Sequence, residues 1–278
     1  NFGEFNCSIY LYFIIDIKRN YRMRRRALIT GITGQDGSYL AEFLLRKNYE
    51  VVGMVRDYSA ESYSRLSCAS KLSRSVGQLT LIQGDVCDQT ACLKIVECYA
   101  PDEIYNLAAM SHVGESFKCP IETHDVNGLG AVRMLEAIKL ASLTESTRFY
   151  QASTSELFGR AVTGPQNENT PFYPISPYGL SKLYAYWAVV NYREIYNLFA
   201  CNGILFNHES ERRSTQFVSR KITKQLAAIA HGSAECIELG SLDATRDWGH
   251  AEDYVKMQWM MLQNSSPKDY VIGTGSAT

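Results

Sequence analysis

The sequence lacks an excess of either charge: 28 Lys and Arg stand against 29 Asp and Glu, a formal net charge of -1. A general nucleic-acid binder carries a basic excess to neutralise phosphates. The balance therefore predicts no nucleic-acid partner, though a few placed arginines can still hold a phosphate. There are eight cysteines but no C-x-x-C pair, and the nearest set, Cys87, Cys92 and Cys98, is spaced by five and six. The five histidines form no H-x-x-x-H. Without such spacings no zinc or other metal site is expected. Scattered single cysteines fit a reducing, cytoplasmic compartment, where they act as small hydrophobes. The apolar stretch 7–17 is shorter than the about 20 residues of a bilayer span, so no membrane partner is expected. Its basic run, 18–26, follows the apolar stretch, the reverse of a secretory signal. Met23 stands directly before a strand pattern, so residues 1–22 read as upstream sequence ahead of a natural start. No internal repeat or low-complexity tract is present.

The chain is long, at 278 residues, 46% hydrophobic and 21% charged. That is enough for a large core and one to two domains. Strand-like runs at 27–30, 50–55, 79–83, 103–108, 148–152 and 199–206 alternate with helix-like runs at 38–47, 90–99, 128–141 and 180–195. Such alternation predicts βαβ units: an α/β, Rossmann-type doubly wound parallel sheet. The strands show little polar alternation, as strands buried on both faces do. The Ser- and Tyr-rich stretch 57–77 reads as a long binding loop. After Asn207 the pattern changes, with helical runs at 215–231 and 252–263, an extended run at 236–239 and a strand-like run at 270–273. The expected division is an extension over 1–22, a dinucleotide-binding domain over 23–206 and a smaller substrate region over 207–278. Some strands and helices of that last region are expected to return to the first domain. The pattern stops just after a strand, so the chain reads as truncated at its carboxyl end.

Gly31-Ile-Thr-Gly34-Gln-Asp-Gly37 follows the first strand and opens the first helix. Glycines there permit a tight turn and close approach of backbone to a pyrophosphate. The helix N-terminus offers free N–H groups and the positive end of its dipole. Three glycines alone are a weak signal; their place between strand and helix makes it strong. After the second strand, an acidic residue favours NAD and an arginine favours the 2′-phosphate of NADP. Here Arg56 is followed by Asp57; NADP is expected, with NAD the lesser alternative. Asp85-Val86 and Leu107-Ala108-Ala109 end the third and fourth strands at the edge where such ligands lie.

Tyr178-Gly-Leu-Ser-Lys182 opens the long helix, and a spacing of four puts both side chains on one face. Free tyrosine has a pKa of about 10, too high for a base near neutrality. A neighbouring ammonium and a nicotinamide charge favour the phenolate, which can take a hydroxyl proton while hydride leaves the carbon. Just after the fifth strand stands Ser153-Thr154-Ser155-Glu156. In extended backbone Thr154 and Glu156 point the same way. Hydride exchange alone needs no carboxylate, whereas removing a proton beside a ketone does.

The glycine loop, the Tyr178/Lys182 pair and the strand order resemble the extended short-chain dehydrogenase/reductases that modify nucleotide sugars. More closely, residues 31–40, Ser153-Thr-Ser-Glu-Leu-Phe-Gly159, Asn207-His-Glu-Ser210 and Arg246-Asp-Trp-Gly249 resemble the GDP-mannose 4,6-dehydratases, over roughly 23–278. The resemblance implies a lyase in which Tyr178 deprotonates the sugar C4 hydroxyl, oriented by Thr154, as C4 hydride moves to NADP. Glu156 then removes the C5 proton, water leaves from C6 and the hydride returns there. Lys182 holds the ribose. The cofactor contacts it implies are Gly31, Thr33, Gly34, Gln35, Asp36, Gly37, Arg56, Asp85, Val86, Leu107, Ala108, Ala109, Ser111, Tyr178, Lys182, His208 and Arg213. Ser111, Asn207, Arg220, Lys221 and Arg246 fall at substrate positions; an arginine's planar fork suits a diphosphate. The implied assembly is a homodimer or homotetramer. The sequence departs from the family at Arg56-Asp-Tyr-Ser59, where Arg-Arg-Ser-Ser is usual, and at Glu122-Thr123, where a cofactor-contacting tyrosine is usual.

Rival readings remain. A 4-epimerase or 4-keto reductase of the same fold would use Tyr178 and Lys182 without Glu156. A glucose-type dehydratase commonly has an acidic pair after the threonine, where this chain has Ser155 and Glu156. A rival of another class is an inactive dinucleotide-binding protein.

Overall fold

The computed structural model describes residues 23–58, 63–160, 164–239 and 244–278. The expected extension 1–22, Ser59 and part of the 57–77 stretch lie outside them. The elements run β1 (Arg26–Thr30), α1 (Gln35–Arg46), β2 (Glu50–Val55), α2 (Ser67–Ser73), β3 (Gln78–Gln83), α3 (Gln89–Tyr99) and β4 (Glu103–Asn106). Then come two short helices, α4 (Val113–Ser116) and α5 (Pro120–His124), a π-helical turn (Asp125–Leu129), α6 (Gly130–Leu140) and β5 (Arg148–Thr154). A 3₁₀ turn (Ser155–Leu157), α7 (Pro177–Tyr196), β6 (Phe199–Leu205) and β7 (Asn207–Glu209) follow. The chain continues with α8 (Val218–Ala230), β8 (Trp248–His250), α9 (Ala251–Met261) and β9 (Tyr270–Ile272).

Seven strands form one sheet in the order β3-β2-β1-β4-β5-β6-β9, every pair parallel. This is the Rossmann-type doubly wound sheet. Two apolar clusters cover its faces. One holds Ile29, Leu40, Leu44 and Tyr105, with Tyr254 and Val255 of α9. The other holds Leu28, Val52, Ile104, Met134, Ile138 and Phe149. Burial on both faces explains the unbroken apolar strands. The late elements α9 and β9 sit on this sheet, β9 pairing with β6. Asp269, just before β9, accepts from Arg193 Nη1 and Nη2 (2.8 Å each) and from Asn202 N (2.9 Å), tying that edge to α7 and β6.

Several boundaries move for local reasons. α1 begins at Gln35 rather than 38, inside the glycine motif, with Gly34 as its N-cap. α7 begins at Pro177 rather than 180, because Ser176 caps it and proline is tolerated in the first turn. The 57–77 stretch contains α2 and is not a structureless loop. β4 ends at Asn106, short of 108, while β5 runs on to Thr154. The expected helix 128–141 is the last part of a longer helical run with a π turn inside it. Residues 236–239 join no strand. α8 buries none of its residues. Among the described residues, no helix is long and apolar enough to cross a membrane, and no group of His, Cys, Asp or Glu could hold a metal.

Candidate active site

A cavity of about 750 Å³ opens beyond the carboxyl ends of the strands, a size common for small-ligand sites. It gathers every cofactor position read from the sequence. Gly31, Thr33, Gly34, Gln35, Asp36 and Gly37 enter from the first loop, Arg56 from the end of β2, and Asp85 and Val86 from the end of β3. Leu107, Ala108, Ala109 and Ser111 follow β4, Tyr178 and Lys182 come from α7, and His208 and Arg213 come from β7 and beyond. Thr154 and Glu156 line it too, as do Asn207 and Arg246. Arg220 and Lys221 do not. Lys221 lines a neighbouring cavity of about 510 Å³, with Lys224, Thr215 and Gln225. The helix accounts for Arg220: Val218 faces the main cavity, and residue 220 lies about 200° round the axis from it. Arg56 lines the wall and Asp57 is not among the lining residues. Neither Glu122 nor Thr123 reaches it; Thr123 is buried and donates to the Cys119 carbonyl at 2.8 Å.

The glycine loop fits a dinucleotide. Gly31 has φ +67°, and a Cβ there would lie 2.8 Å from Ala108 N. A Cβ on Gly37 would lie 2.4 Å from Gly31 O. No side chain caps α1, so its first N–H groups remain for an anion. Beneath the loop, Thr30 donates to Asn106 Oδ1 (2.7 Å), and its hydroxyl oxygen accepts from Leu107 N and Ala108 N (3.1 Å each). Asn106 in turn donates to Gln151 Oε1 at 2.8 Å. This buried ladder runs across β1, β4 and β5 and sets the cavity floor.

Thr154 ends β5, and its hydroxyl accepts from Glu156 N at 3.2 Å. Glu156 therefore sits in the 3₁₀ turn. Both side chains reach the cavity, but strand alternation is not what brings them there: the threonine hydroxyl turns the backbone. Gly179 makes room for that turn, since a Cβ there would meet Glu156 O at 2.9 Å. Tyr178 N donates to Ser116 Oγ at 3.1 Å. Asn127, in the π turn, accepts from Met110 N (2.8 Å) and donates to Met110 O and Ser181 Oγ (3.1 Å each). Ser116, Asn127 and Ser181 escaped the sequence reading. Nothing in their spacing signals them, because the extra residue of a π turn leaves no mark in the hydrophobic period.

The pair's electrostatics also differ from expectation. Burial pushes the Tyr178 phenol up to about 12, against a hydrogen bond with Thr154 that pulls it down. Burial lowers the Lys182 ammonium to about 8. Lys182 Nζ donates to the Ala152 carbonyl at 2.8 Å. The protein's own groups thus hold the phenol protonated, because desolvation outweighs the help expected from the ammonium.

His208 stands across the cavity. Its Nε2 lies 2.7 Å from Asp36 Oδ2 and its Nδ1 lies 2.8 Å from the Phe206 carbonyl. Both partners only accept, so both ring nitrogens donate and the ring is the imidazolium. Its face stacks on Tyr254, centroids 4.4 Å apart. Burial opposes the charge, but the Asp36 carboxylate and these hydrogen bonds outweigh it and hold the His208 pKa above its ordinary 6.5. On Asp36, burial is likewise outweighed by His208, Gln35 and Arg213, and its pKa lies below 3.8.

Fold and site together define a Rossmann-type extended short-chain dehydrogenase/reductase. In shape the chain is similar to the DesIV dTDP-glucose 4,6-dehydratase of Streptomyces venezuelae, solved with NAD and TYD bound. That match has a TM-score of 0.79 at 23% identity and covers 91% of this chain and 77% of that one. The family model for GDP-mannose 4,6 dehydratase matches residues 28–278. The chain is 58% identical over 254 residues to the GDP-mannose 4,6 dehydratase of Cricetulus griseus, covering 91% of this chain and 68% of that protein. The Vibrio cholerae GDP-mannose 4,6-dehydratase is 55% identical over the same shares. The chain belongs to the GDP-mannose 4,6 dehydratase family.

The His208–Asp36 pair predicts a pH dependence of stability. A raised histidine pKa contributes fully below about 6.5 and is lost as pH rises through the folded value. A depressed carboxylate contributes above about 3.9 and is lost as pH falls through its folded value. The melting temperature of His208→Gln should fall furthest below the parent near about pH 5.5 and approach it by about pH 8.5. A constant gap across that range refutes the charged pair.

Proposed function

We propose that the chain dehydrates GDP-α-D-mannose to GDP-4-keto-6-deoxy-D-mannose, the first step toward deoxysugars such as GDP-fucose and GDP-rhamnose. The observation that carries this reading is Glu156 beside Tyr178 in one cavity, within a chain of this family. Tyr178 takes the C4 hydroxyl proton, with the Thr154 hydroxyl orienting both groups. Glu156 removes the C5 proton, made acidic by the new 4-ketone, and water departs from C6. Lys182 and Ser111 hold the ribose and the substrate edge. Asn207 and Arg246 face the sugar nucleotide, with Arg246 toward its diphosphate. Lys221 acts on the substrate from the neighbouring cavity, and Arg220, which lines neither cavity, has no part. Gly31, Gly34, Gly37 and Lys182 would hold the dinucleotide, which would serve as both acceptor and donor of one hydride, so that net redox would be zero.

Incubation with GDP-mannose and catalytic NADP⁺ should yield the 4-keto-6-deoxy product without net NADPH. Stoichiometric NADPH would instead mark a simple dehydrogenase, and inert substrate would mark the non-enzymatic reading. Glu156→Gln should lower kcat about 10²- to 10⁴-fold; an unchanged rate removes its role as base. An epimerase would be unaffected by that change.

NADP is the proposed cofactor because Arg56 faces the cavity and Asp57 does not line it. Arg56→Ala should narrow the preference for NADP over NAD by about tenfold, the weight of one charge-assisted bond. Equal preference before and after the change removes Arg56 as the reader.

The proposed assembly is a homodimer or homotetramer in the cytoplasm. Leu180, Tyr184 and Trp187 of α7 are about half exposed, at helical spacing of four and three, beside exposed Ile121 and Leu129. So apolar a stripe suits a second copy. Trp187→Glu should lower the mass measured by sedimentation; a monomeric parent overturns the assembly.

A further inference from the structure

Two neighbouring arginines, Arg212 and Arg213, turn to opposite sides. Arg213 lines the main cavity, its guanidinium 3.5 Å over the Phe217 ring and its Nε 3.0 Å from Glu209 Oε1. Arg212 turns away from the cavity onto α1. Its Nη2 lies 2.7 Å from Glu42 Oε1, its Nη1 donates to Ser38 Oγ at 3.1 Å, and its guanidinium lies 3.9 Å over the Tyr39 ring. Both ends of the ion pair are shielded, with Arg212 16% and Glu42 6% exposed. A planar guanidinium that is paired and stacked at once has one available position, which lysine cannot reproduce.

The contact belongs to a longer zipper. Ser210 Oγ donates to Gln35 Oε1 (2.9 Å), and Gln35 Nε2 donates to the His208 carbonyl (3.1 Å). Tyr39 OH donates to Glu211 Oε1 at 2.8 Å. Arg65 donates to the carbonyls of Arg212 (3.1 Å) and Thr33 (3.2 Å), joining the far end of the segment to the glycine loop. Residues 35, 38, 39 and 42 of α1 therefore face the strand segment that carries Asn207 and Arg213. That spacing is the i, i+3, i+4, i+7 stripe of a helix. In an ordinary Rossmann helix such a stripe only packs; here it is polar and grips one backbone segment.

We propose that Arg212 is a positioning residue which, held by Glu42 and Tyr39, sets the Arg213 guanidinium in the cavity and so sets how long the dinucleotide stays bound. Arg212 touches neither substrate nor cofactor; it acts through the backbone it shares with Arg213. The proposal rests on the NADP reading above. It gives α1 two tasks: its N-terminus holds the anion and its side holds the residue opposite.

The test is the dissociation rate of NADP(H), followed by the fluorescence of bound NADPH on displacement by excess NADP⁺. It is run at a temperature where circular dichroism shows each variant folded. Arg212→Met and Glu42→Gln should each speed dissociation about tenfold, the scale of outer-shell support for a binding group. Arg212→Lys should recover only part. The double variant should be no faster than Arg212→Met, because both changes break one contact. Ser38→Ala, which removes the hydroxyl that accepts from Arg212 Nη1 at 3.1 Å, is the mild variant if the others do not fold, and should speed dissociation two- to threefold, an effect of about 0.5 kcal/mol. Lowered melting temperatures with dissociation rates like the parent's would make the clamp structural only and overturn the proposal. Additive effects in the double variant would overturn the Glu42–Arg212 linkage. Failure of the parent itself to bind NADPH would overturn the cofactor reading instead, so the two failures are distinguishable.

Discussion

A Cβ on residue 31 would stand 2.8 Å from the Ala108 amide, and the rest of the site depends on that closeness. Only a glycine at φ +67° lets the first loop lie against the end of β4. Once it does, Thr30 holds the Leu107 and Ala108 amides from below, and Asn106 and Gln151 extend the ladder toward β5. The strand carrying Thr154 is thereby set in register with the loop that opens α1. A buried polar ladder of this kind is worth its desolvation only when its members are satisfied together. It converts a tolerant parallel sheet into a floor of fixed shape.

α1 is the second organising element. Its N-terminus is uncapped and faces the cavity, its apolar residues Leu40, Leu44 and Leu45 enter the core, and its polar stripe grips the 208–212 segment. Gln258 of α9 also donates to Asp36 Oδ2 at 3.3 Å. Residues far apart in sequence, from 35 to 258, therefore meet on one helix and close one side of the cavity. The other side is built by α7 and the 3₁₀ turn, whose approach requires Gly179. The charged groups between these walls are set by desolvation as much as by their neighbours. This is why Tyr178 is held up and Lys182 held down, whereas His208 keeps its proton against the same penalty.

Much of this was legible in the sequence, for identifiable reasons. Strands buried on both faces leave uniform apolar runs, so all seven sheet strands could be placed within a few residues. The glycines of the first loop and the Tyr178/Lys182 spacing are local signals, and they landed in the cavity. What was not legible depended on contacts across the fold. Arg220 and Lys221 were read into the site from the family resemblance, but α8 turns Arg220 from the main cavity and places Lys221 on the neighbouring one. Ser116 and Asn127 look like any serine and asparagine until the helices that carry them meet α7. The route by which Glu156 reaches the cavity was misread, because a single hydroxyl hydrogen bond ended the strand there.

The sequence by itself determined the class of sheet, the dinucleotide loop, the Tyr178/Lys182 helix face and the presence of a carboxylate next to Thr154. Each is a short-range pattern: a side-chain period, a spacing of three or four, or a glycine where backbone must approach backbone. Arg213 was already named by the family resemblance, but only the tertiary structure decided that its neighbour Arg212 turns away and grips α1. It also decided that Arg56 rather than Asp57 lines the wall, and that the Tyr178 phenol is held protonated by burial. Those outcomes follow from burial and from the opposition of side chains up to about two hundred positions apart, which no local pattern records.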